Sequence, residues 1–317
     1  MSTDTPMAQL GWNGLIFSGM DLQGEFRRAA LESGIPGDEI SRFGEHLRLS
    51  IGLSVGGGSP VGQLGGLPRL PVGMNWPSAE DIPLPLLLSV DCGALPKVDG
   101  FDLPADGTLL FFVNQEMDHE DTTGRYARVV YVPDGTETAV AEAPSSTCVR
   151  EHFDVSAELR AELPLWLQEG DDEDWHEFWE DLDREDMSPF QQQLARYMER
   201  DLPHLEELRA LAHDFWPSGA GVVSAVIGGY ADDEVINSIA EQTLAGREKA
   251  GEIPAIPISK WYSHLEEEKH RLTSEWISLA SEARVYEEYY TSFVICRDDL
   301  AAARVVKALA VTNFEAP

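Results

Sequence analysis

From residue 47 to residue 54, apolar residues alternate with polar or small ones. Leu47, Leu49, Ile51 and Leu53 are each followed by a polar or small residue. This period is typical of a strand that buries one face. Farther on, turn residues separate three apolar runs, at 86–90, 109–113 and 128–132. Strands that follow each other so closely predict an antiparallel meander.

Before these strands the spacing is helical. Asp21 is a good N-cap for a first helix, which Gly34 and Pro36 bring to an end. A second short helix is predicted over 38–43. We therefore treat residues 1–45 as an N-terminal helical segment that precedes the strands.

The middle of the chain combines acidity with a helical period. Between Glu169 and Asp186 there are eleven acidic residues and one basic residue. Four apolar residues nevertheless fall at positions i, i+3, i+4 and i+7, namely Trp175, Phe178, Trp179 and Leu182. The pattern predicts an acidic helical insertion over 154–217. Its stripe is typical of core packing, but Trp is also enriched at binding hot spots, so Trp175, Phe178 and Trp179 are candidate interaction residues.

The last third returns to mixed structure. A Gly-Gly-Tyr turn at 228–230 precedes a helix that starts at Asp232 or Asp233 and runs to about Leu244, where Gly246 is expected to stop it. Further predictions are a helix over 259–280, a strand over 290–296, a short helix from Asp298 or Asp299, and a closing strand over 305–311.

A segment rich in glycine and proline, residues 56–71, invites comparison with phosphate-binding loops. It lacks the GxxxxGK[ST] pattern and a nearby lysine. An ordered, irregular connection is therefore the favoured interpretation. The alternative is the rim of a small-ligand pocket, and its candidate binding residues are Gly65, Gly66, Arg69, Trp76 and Asp91.

Several of these segments together resemble a known family. GGLPRLP at 65–71, WP at 76–77, PLLLSVD at 85–91 and LPADGTLLFFV at 103–113 are similar to the entry motifs of the YwqG-like proteins, a bacterial family of unknown function. GGY at 228–230 and FVICRDDLA at 293–301 resemble its second turn and C-terminal strand. At 276–281 the chain departs from the family pattern, and this segment fits either a strand or the end of a helix.

The resemblance implies a β-rich, roll-like α+β domain of antiparallel strands over residues 46–317, interrupted by the acidic insertion. It implies no agreed reaction, cofactor or catalytic residue. The two sets of turns and strands, at 65–113 and 228–296, indicate a weak internal duplication.

The net charge is the unusual feature of the composition. Among 317 residues, 23 Lys and Arg stand against 56 Asp and Glu, which gives a formal charge of −33. Such a chain repels phosphate backbones and anionic lipids, so nucleic acid and membranes are not expected partners. Solubility alone explains an acidic surface, but the charge also favours a basic protein partner. Three scattered cysteines and no apolar leader predict a cytoplasmic location.

Candidate chemistry is sparse. Asp118-His119-Glu120-Asp121 has carboxylates for a divalent cation but no EF-hand spacing, so a solvated hairpin loop is favoured. Cys148, near Arg150 and His152, is the best thiol candidate, although inert packing is the commoner role of a free cysteine.

We therefore predict no catalytic residue, metal site or cofactor. The leading hypothesis is a non-catalytic, cytoplasmic interaction protein with a basic partner, of which a toxin-neutralising immunity role is one version. The alternative is a ligand-binding protein or enzyme with a pocket at the Gly/Pro-rich segment.

Overall fold

The structure is a computed structural model that describes residues 22–98, 101–120, 124–145, 148–164, 202–216, 223–231, 233–282 and 289–314. The strands are β1 (Arg48–Val55), β2 (Gly62–Leu64), β3 (Arg69–Pro71), β4 (Ser78–Ala79), β5 (Ile82–Pro83), β6 (Leu86–Asp91), β7 (Thr108–Val113), β8 (Ala127–Val132), β9 (Thr138–Val140), β10 (Phe153–Glu162), β11 (Val223–Gly228), β12 (Trp276–Glu282), β13 (Tyr289–Cys296) and β14 (Leu309–Phe314). The helices are α1 (Leu22–Glu32), α2 (Gly37–His46), α3 (Gln115–Glu120), α4 (Leu205–Phe215), α5 (Asp233–Lys249), α6 (Ile258–Glu275) and α7 (Arg297–Ala301).

Ten strands form one antiparallel sheet that nearly closes into a barrel. Its order is β14-β13-β12-β11-β1-β10-β2-β6-β7-β8, and β3-β9 and β4-β5 form two small ribbons. The predicted α+β, β-rich class is confirmed, and so is the meander of β6, β7 and β8. Within the described residues no helix has the length and apolar character that crossing a bilayer requires.

The sheet consists of two similar halves that exchange partners at its centre. β1 and β10 pair over their full common length, from Arg48↔Glu162 to Val55↔Val155. β2 follows β1 in the chain but pairs with β10, whereas β11 follows β10 but pairs with β1. Each of these strands then begins a four-stranded meander. This reciprocal arrangement confirms the internal duplication.

The largest core cluster lies inside the sheet and joins the two halves. Phe111 of β7 and Phe293 of β13 occupy matching positions in their meanders, and their rings meet edge to face with centroids 5.1 Å apart. Ile51 and Leu53 of β1 and Val155 of β10 belong to the same cluster. The central pair of strands therefore contributes to one shared core rather than to two separate ones.

The helices extend this core at two places. α1, α2 and α4 pack together around Phe26, Phe43 and Trp216, and they meet the sheet at Leu49 and Leu159. α5 and α6 form a hairpin with its own apolar cluster. The helical character expected at the N-terminus is thus present from Leu22, while Asp21 lies outside the described residues.

A buried polar network closes the seam between the two edge strands. α3 follows β7 and packs on β14. Gln115 Nε2 donates a hydrogen bond to Thr291 Oγ1 (3.0 Å), whose oxygen lies 2.9 Å from Thr312 Oγ1. Thr312 Oγ1 in turn donates to Asp118 Oδ2 (2.7 Å). All four side chains are buried, so the polar chain joins the halves where no backbone ladder does.

This network overturns the expectation of a solvated hairpin loop at 118–121. Residues 118–120 are the last turn of α3, Asp118 is buried, and His119 Nδ1 lies 3.1 Å from the carbonyl oxygen of Thr312. The carboxylate of Asp118 has a polar partner 194 residues away in the chain. Local spacing could not reveal such a partner.

The prediction of a helical insertion over 154–217 is wrong for the first part of that range, because residues 153–162 form the strand β10. Its sequence, FDVSAELRAE, contains helix-forming Ala, Glu, Leu and Arg. Pairing with β1 along eight residues overrides that propensity. α4 confirms helix over part of the range, and Trp175, Phe178 and Trp179 lie outside the described residues.

Three other boundaries differ from expectation. The helix expected to reach residue 280 ends at Glu275, because residues 276–281 belong to β12 and pair with β13. α5 continues through Gly246 to Lys249, and Gly251, at φ +72°, ends it. Residues 305–307 form a 3₁₀ turn, which moves the closing strand to 309–314.

Replacing Thr312 with valine should lower the free energy of unfolding by about 1–3 kcal/mol, because Asp118 loses its buried donor. Thr136→Val, at an exposed turn residue, should change it by less than about 0.5 kcal/mol. Urea unfolding at pH 7 measures both. The Asp118→Ala/Thr312→Val double variant should lose less unfolding free energy than the sum of the losses in the two single variants. A loss equal to that sum would contradict the network.

Candidate functional site

The Gly/Pro-rich segment forms a fixed surface platform rather than a phosphate cradle. After β2 the chain turns through Gly65 and Gly66, at φ +57° and +72°. A Cβ on Gly66 would lie 2.7 Å from His152 Nδ1 and 2.9 Å from Gln63 Nε2. Gln63 Nε2 also donates to the carbonyl of Gly65 (2.7 Å). Backbone conformation and close packing therefore explain why glycine occupies these two positions.

Arg69 and Trp76 fasten this platform to its surroundings. Arg69 is exposed on β3, and its guanidinium donates across the ribbon to Thr138 Oγ1 (3.3 Å) and Thr138 O (3.2 Å). Trp76 Nε1 donates to the carbonyl of Leu84 (2.9 Å), and its ring meets Phe112 edge to face at 6.2 Å. Both side chains hold the loop in place in the described structure.

Asp91 lies apart from the other four candidate ligand residues. Its N–H donates to Val61 O, and its carboxylate accepts from Gly93 N (2.9 Å) in a local turn. Val61 is four residues before Gly65, which corresponds to roughly 13 Å along a strand. The structure thus brings Gly65 and Gly66 together but does not converge all five candidates on one point.

The platform carries several exposed apolar side chains. Four side chains are exposed there, to 38%, 63%, 39% and 54%: Leu67, Val72, Met74 and Val140. We call them the ribbon surface, because β3 and β9 pair beneath them with Arg69 opposite Val140. Val72 N bonds to Glu137 O (3.0 Å), and Glu137 and Glu142 are exposed. The ribbon surface thus combines exposed apolar side chains with the carboxylates of Glu137 and Glu142 and the guanidinium of Arg69, a mixture of groups that protein-binding surfaces also have.

A second group of polar residues lies at the turn that ends β11, and sequence reasoning noted only its Gly-Gly-Tyr motif. Tyr230 OH donates to His46 O (2.7 Å), and Tyr230 N donates to Glu162 Oε2 (3.1 Å). Arg48 stacks on the Tyr230 ring at 3.9 Å, and its Nη2 donates to Thr273 O (2.9 Å). We call these residues, His46, Arg48, Glu162 and Tyr230, the Tyr230 cluster.

The Tyr230 cluster caps two helices. His46 is the last residue of α2, and Thr273 lies in the last turn of α6. Carbonyl groups at helix C-termini lack intrahelical donors, and here Tyr230 and Arg48 supply them. The cluster therefore ties both helices to the centre of the sheet.

Burial displaces the pKa values in the Tyr230 cluster. It raises the pKa of Glu162 and of Tyr230, and it lowers the pKa of Arg48. It also lowers the pKa of His46 to about 4, with a smaller contribution from the positive charge of nearby His270. Displaced pKa values accompany catalysis in many enzymes; here burial is the main cause of each shift.

Two of the three thiols, those of Cys148 and Cys92, are packed in the interior. Cys148 is buried, and its Sγ donates to Ser145 O (3.1 Å). Burial and then the carboxylate of Asp91 raise the pKa of Cys92 to about 12, so that thiol stays protonated at neutral pH. In the described ranges no group of three or more His, Cys, Asp or Glu residues is arranged to hold a metal ion.

Comparison with protein families gives one match. A model described as "Domain of unknown function (DUF1963)" matches residues 62–310. The match runs from the first residue of β2 into β14 and so includes both meanders. No curated protein matches the chain.

Gly229 should be far less tolerant of alanine than Gly251, although both have φ above +70°. A Cβ on Gly229 would lie 2.0 Å from the Glu162 carboxylate, whereas nothing lies within 4 Å of one on Gly251. Gly251→Ala should cost about 1–2 kcal/mol of backbone strain, and Gly229→Ala clearly more. Urea unfolding compares them, and equal losses would refute close packing at Gly229.

His46 and His204 should make the free energy of unfolding depend on pH in opposite directions. The folded-state pKa of His46 is about 4. The contribution of the neutral His46 side chain to stability is therefore lost as pH falls from about 6.5 to 4. The hydrogen bond that the His204 ring donates to the Glu39 carboxylate raises the pKa of His204. The contribution of His204 to stability is therefore present below about pH 6.5 and lost as pH rises through the folded-state value.

His46→Gln should therefore reduce the loss of stability between pH 7 and pH 5, and His204→Gln should increase it. Urea midpoints of the wild type and both variants at the two pH values provide the measurement. Shifts of the same sign in the two variants would contradict the assigned environments.

Proposed function

The chain belongs to the DUF1963 family, and from this premise we propose that it is a non-catalytic interaction protein that binds a basic protein partner. We also propose that it is a YwqG-like member of bacterial origin that acts in the cytoplasm. The family description carries no activity, so the proposal is based on charge and surface.

The charge supports a basic partner. A net charge of −33 on 317 residues produces a field that attracts cationic surfaces and speeds their encounter. The field also disfavours nucleic acid and anionic membranes. Residues 169–186 concentrate eleven acids against one base, and we propose that this segment, with Trp175, Phe178 and Trp179, contributes to the contact.

The ribbon surface is the single structural observation that carries the proposal. Its four apolar side chains are exposed on a platform held by Trp76 and Arg69. Because the platform is already ordered, a partner would lose little affinity to loop ordering. Exposed apolar groups beside carboxylates suit a partner that offers both apolar and cationic side chains.

The concrete version that we propose is toxin neutralisation. A toxin that acts on nucleic acid carries a basic cleft, and an acidic protein with apolar anchors can occupy such a cleft. The contacts of the Tyr230 cluster agree with a non-catalytic role, since its groups bond to one another and to helix ends.

A second candidate function is small-ligand binding, at a site other than the Gly/Pro-rich segment. A cleft of about 740 Å³ lies between α5 and α6, a size typical of ligand sites. Leu244 and Ile256 form part of its apolar lining, and Arg247 and Arg271 line it together with Glu267 and Glu268. Both arginines form ion pairs with Glu268, so a ligand would meet a lining of mixed charge. Saturable binding of a small ionic ligand to the purified protein would favour this candidate.

The interaction proposal is tested by affinity capture from an extract of the source organism, followed by identification and purification of the captured protein. We expect a partner with an excess of Lys and Arg whose direct binding weakens as salt increases. Neutralising residues 171–174 with Asn and Gln should weaken binding, and so should Val72→Ser/Val140→Ser.

The matched control is Ile258→Ser, which alters a side chain that is 95% exposed outside the ribbon surface. It should leave binding unchanged. A partner that is acidic, or one that both test variants bind as well as the wild type does, would refute the proposal.

A further inference from the structure

Three aromatic rings lie together at the end of the sheet where α3 packs on β14. His119 belongs to α3, and Tyr289, the first residue of β13, is paired with Phe314, the last residue of β14. The ring centroids are 5.7 Å apart for His119 and Tyr289, 6.1 Å for His119 and Phe314, and 5.2 Å for Tyr289 and Phe314. We call these three residues the aromatic trio.

The aromatic trio is the solvent-facing end of a core face. Side chains at alternate positions of a strand share a face, so Tyr289 is on the same face as Thr291 and Phe293, which are both buried. Tyr289 itself is partly exposed, His119 is exposed, and Phe314 is 44% exposed. The trio is therefore accessible to another molecule, although its strand residues continue the face that forms the core.

A backbone carbonyl fixes the ring of His119. The carbonyl oxygen of Thr312 only accepts hydrogen bonds, so His119 Nδ1, 3.1 Å away, is the donor. In a neutral imidazole with a proton on Nδ1, Nε2 is an acceptor. The ring is thus held in place and has an acceptor for an N–H group of a ligand.

Carboxylates accompany the trio on α3. Glu116 and Glu120 are exposed, and they are four residues apart, with His119 three residues after Glu116. Side chains three and four residues apart lie on one face of a helix, so both carboxylates flank the His119 ring. In the described ranges no basic side chain stacks on the three rings. Aromatic faces beside negative charge are complementary to a cation.

We propose that the aromatic trio binds an arginine side chain of a protein partner, with the guanidinium on the rings and its N–H groups directed to the carboxylates of Glu116 and Glu120. A guanidinium is planar and weakly hydrated, stacks on aromatic faces, and donates to carboxylates through its fork. A lysine ammonium has the same charge without the planar face. The inference rests on the proposed function for the existence of a basic partner, and it names the side chain that is recognised.

The probe is an N-acetylated, C-amidated peptide of sequence Gly-Arg-Gly-Arg-Gly-Arg, titrated into the isotopically labelled full-length protein. Binding is followed by NMR at the Cε1–H resonance of His119, which the His119→Gln variant identifies by its loss. Salt at about 0.15 M screens attraction by distant carboxylates. We expect a saturable shift in the millimolar range. Gly-Lys-Gly-Lys-Gly-Lys, a peptide of the same charge, should bind at least about threefold more weakly.

Variants that keep the net charge test the rings. Tyr289→Leu/Phe314→Leu should weaken binding of the arginine peptide by about fivefold or more, because two cation–π contacts are lost. Tyr289→Phe/Phe314→Tyr keeps both rings and should change binding by less than about twofold. Circular dichroism verifies that both double variants are folded.

A second pair of variants tests the carboxylates. Glu116→Gln/Glu120→Gln should weaken binding of the arginine peptide by about fivefold, because charge-assisted hydrogen bonds are lost. Glu32→Gln/Glu45→Gln, the same change in charge at exposed residues of α1 and α2, should weaken it by less than about twofold.

Three results would overturn the inference: equal binding of the lysine peptide, equal binding by the variant that lacks both rings, or no saturation at about 20 mM peptide. Its failure is distinguishable from failure of the proposed function. Capture of a basic partner together with a trio that binds no arginine would refute this inference alone. Arginine binding at the trio without any captured partner would support the trio as an arginine site and count against the proposed function.

Discussion

The closure of a ten-stranded sheet across two edge strands is the constraint on which the rest of the structure depends. β8 and β14 approach each other at opposite ends of the strand order, and side chains join them. On β14 the junction is the buried chain of hydrogen bonds through Thr312 and Asp118. On β8 it is the packed 3₁₀ turn at Val305–Lys307. Because buried polar groups are costly when unpaired, this seam selects one way of bringing the halves together.

The exchange of partners at β1 and β10 makes the two halves interdependent. The first strand of each meander pairs with the central strand of the other half. Without the other half, that first strand would therefore lack one of its two neighbours. The Tyr230 cluster extends this dependence to the helices, since Arg48 of β1 caps α6 and Tyr230 caps α2. Sheet and helices are therefore stabilised by the same long-range contacts.

Many of the basic residues that the structure describes contact groups of the same chain. Eight described basic side chains form ion pairs with acids of the same chain: Arg42, Arg125, Arg209, Arg247, Lys269, Arg271, Arg304 and Lys307. Arg48 is engaged by a helix carbonyl. The field that an approaching molecule meets is consequently dominated by the surplus carboxylates.

The sequence by itself determined the features that depend on neighbours in the chain. Alternation identified β1, turn residues separated β6, β7 and β8, and the glycine pairs at 65–66 and 228–229 marked left-handed turns. It also supplied the net charge. Only the tertiary structure decided that 153–162 is a strand, that a helix ends at Glu275, and that Asp118 is buried and Glu162 half-buried beside polar partners. The physical reason is distance along the chain: Gln115 and Thr291 bond across 176 residues, and pairing of that kind outweighs local propensity without leaving a local pattern.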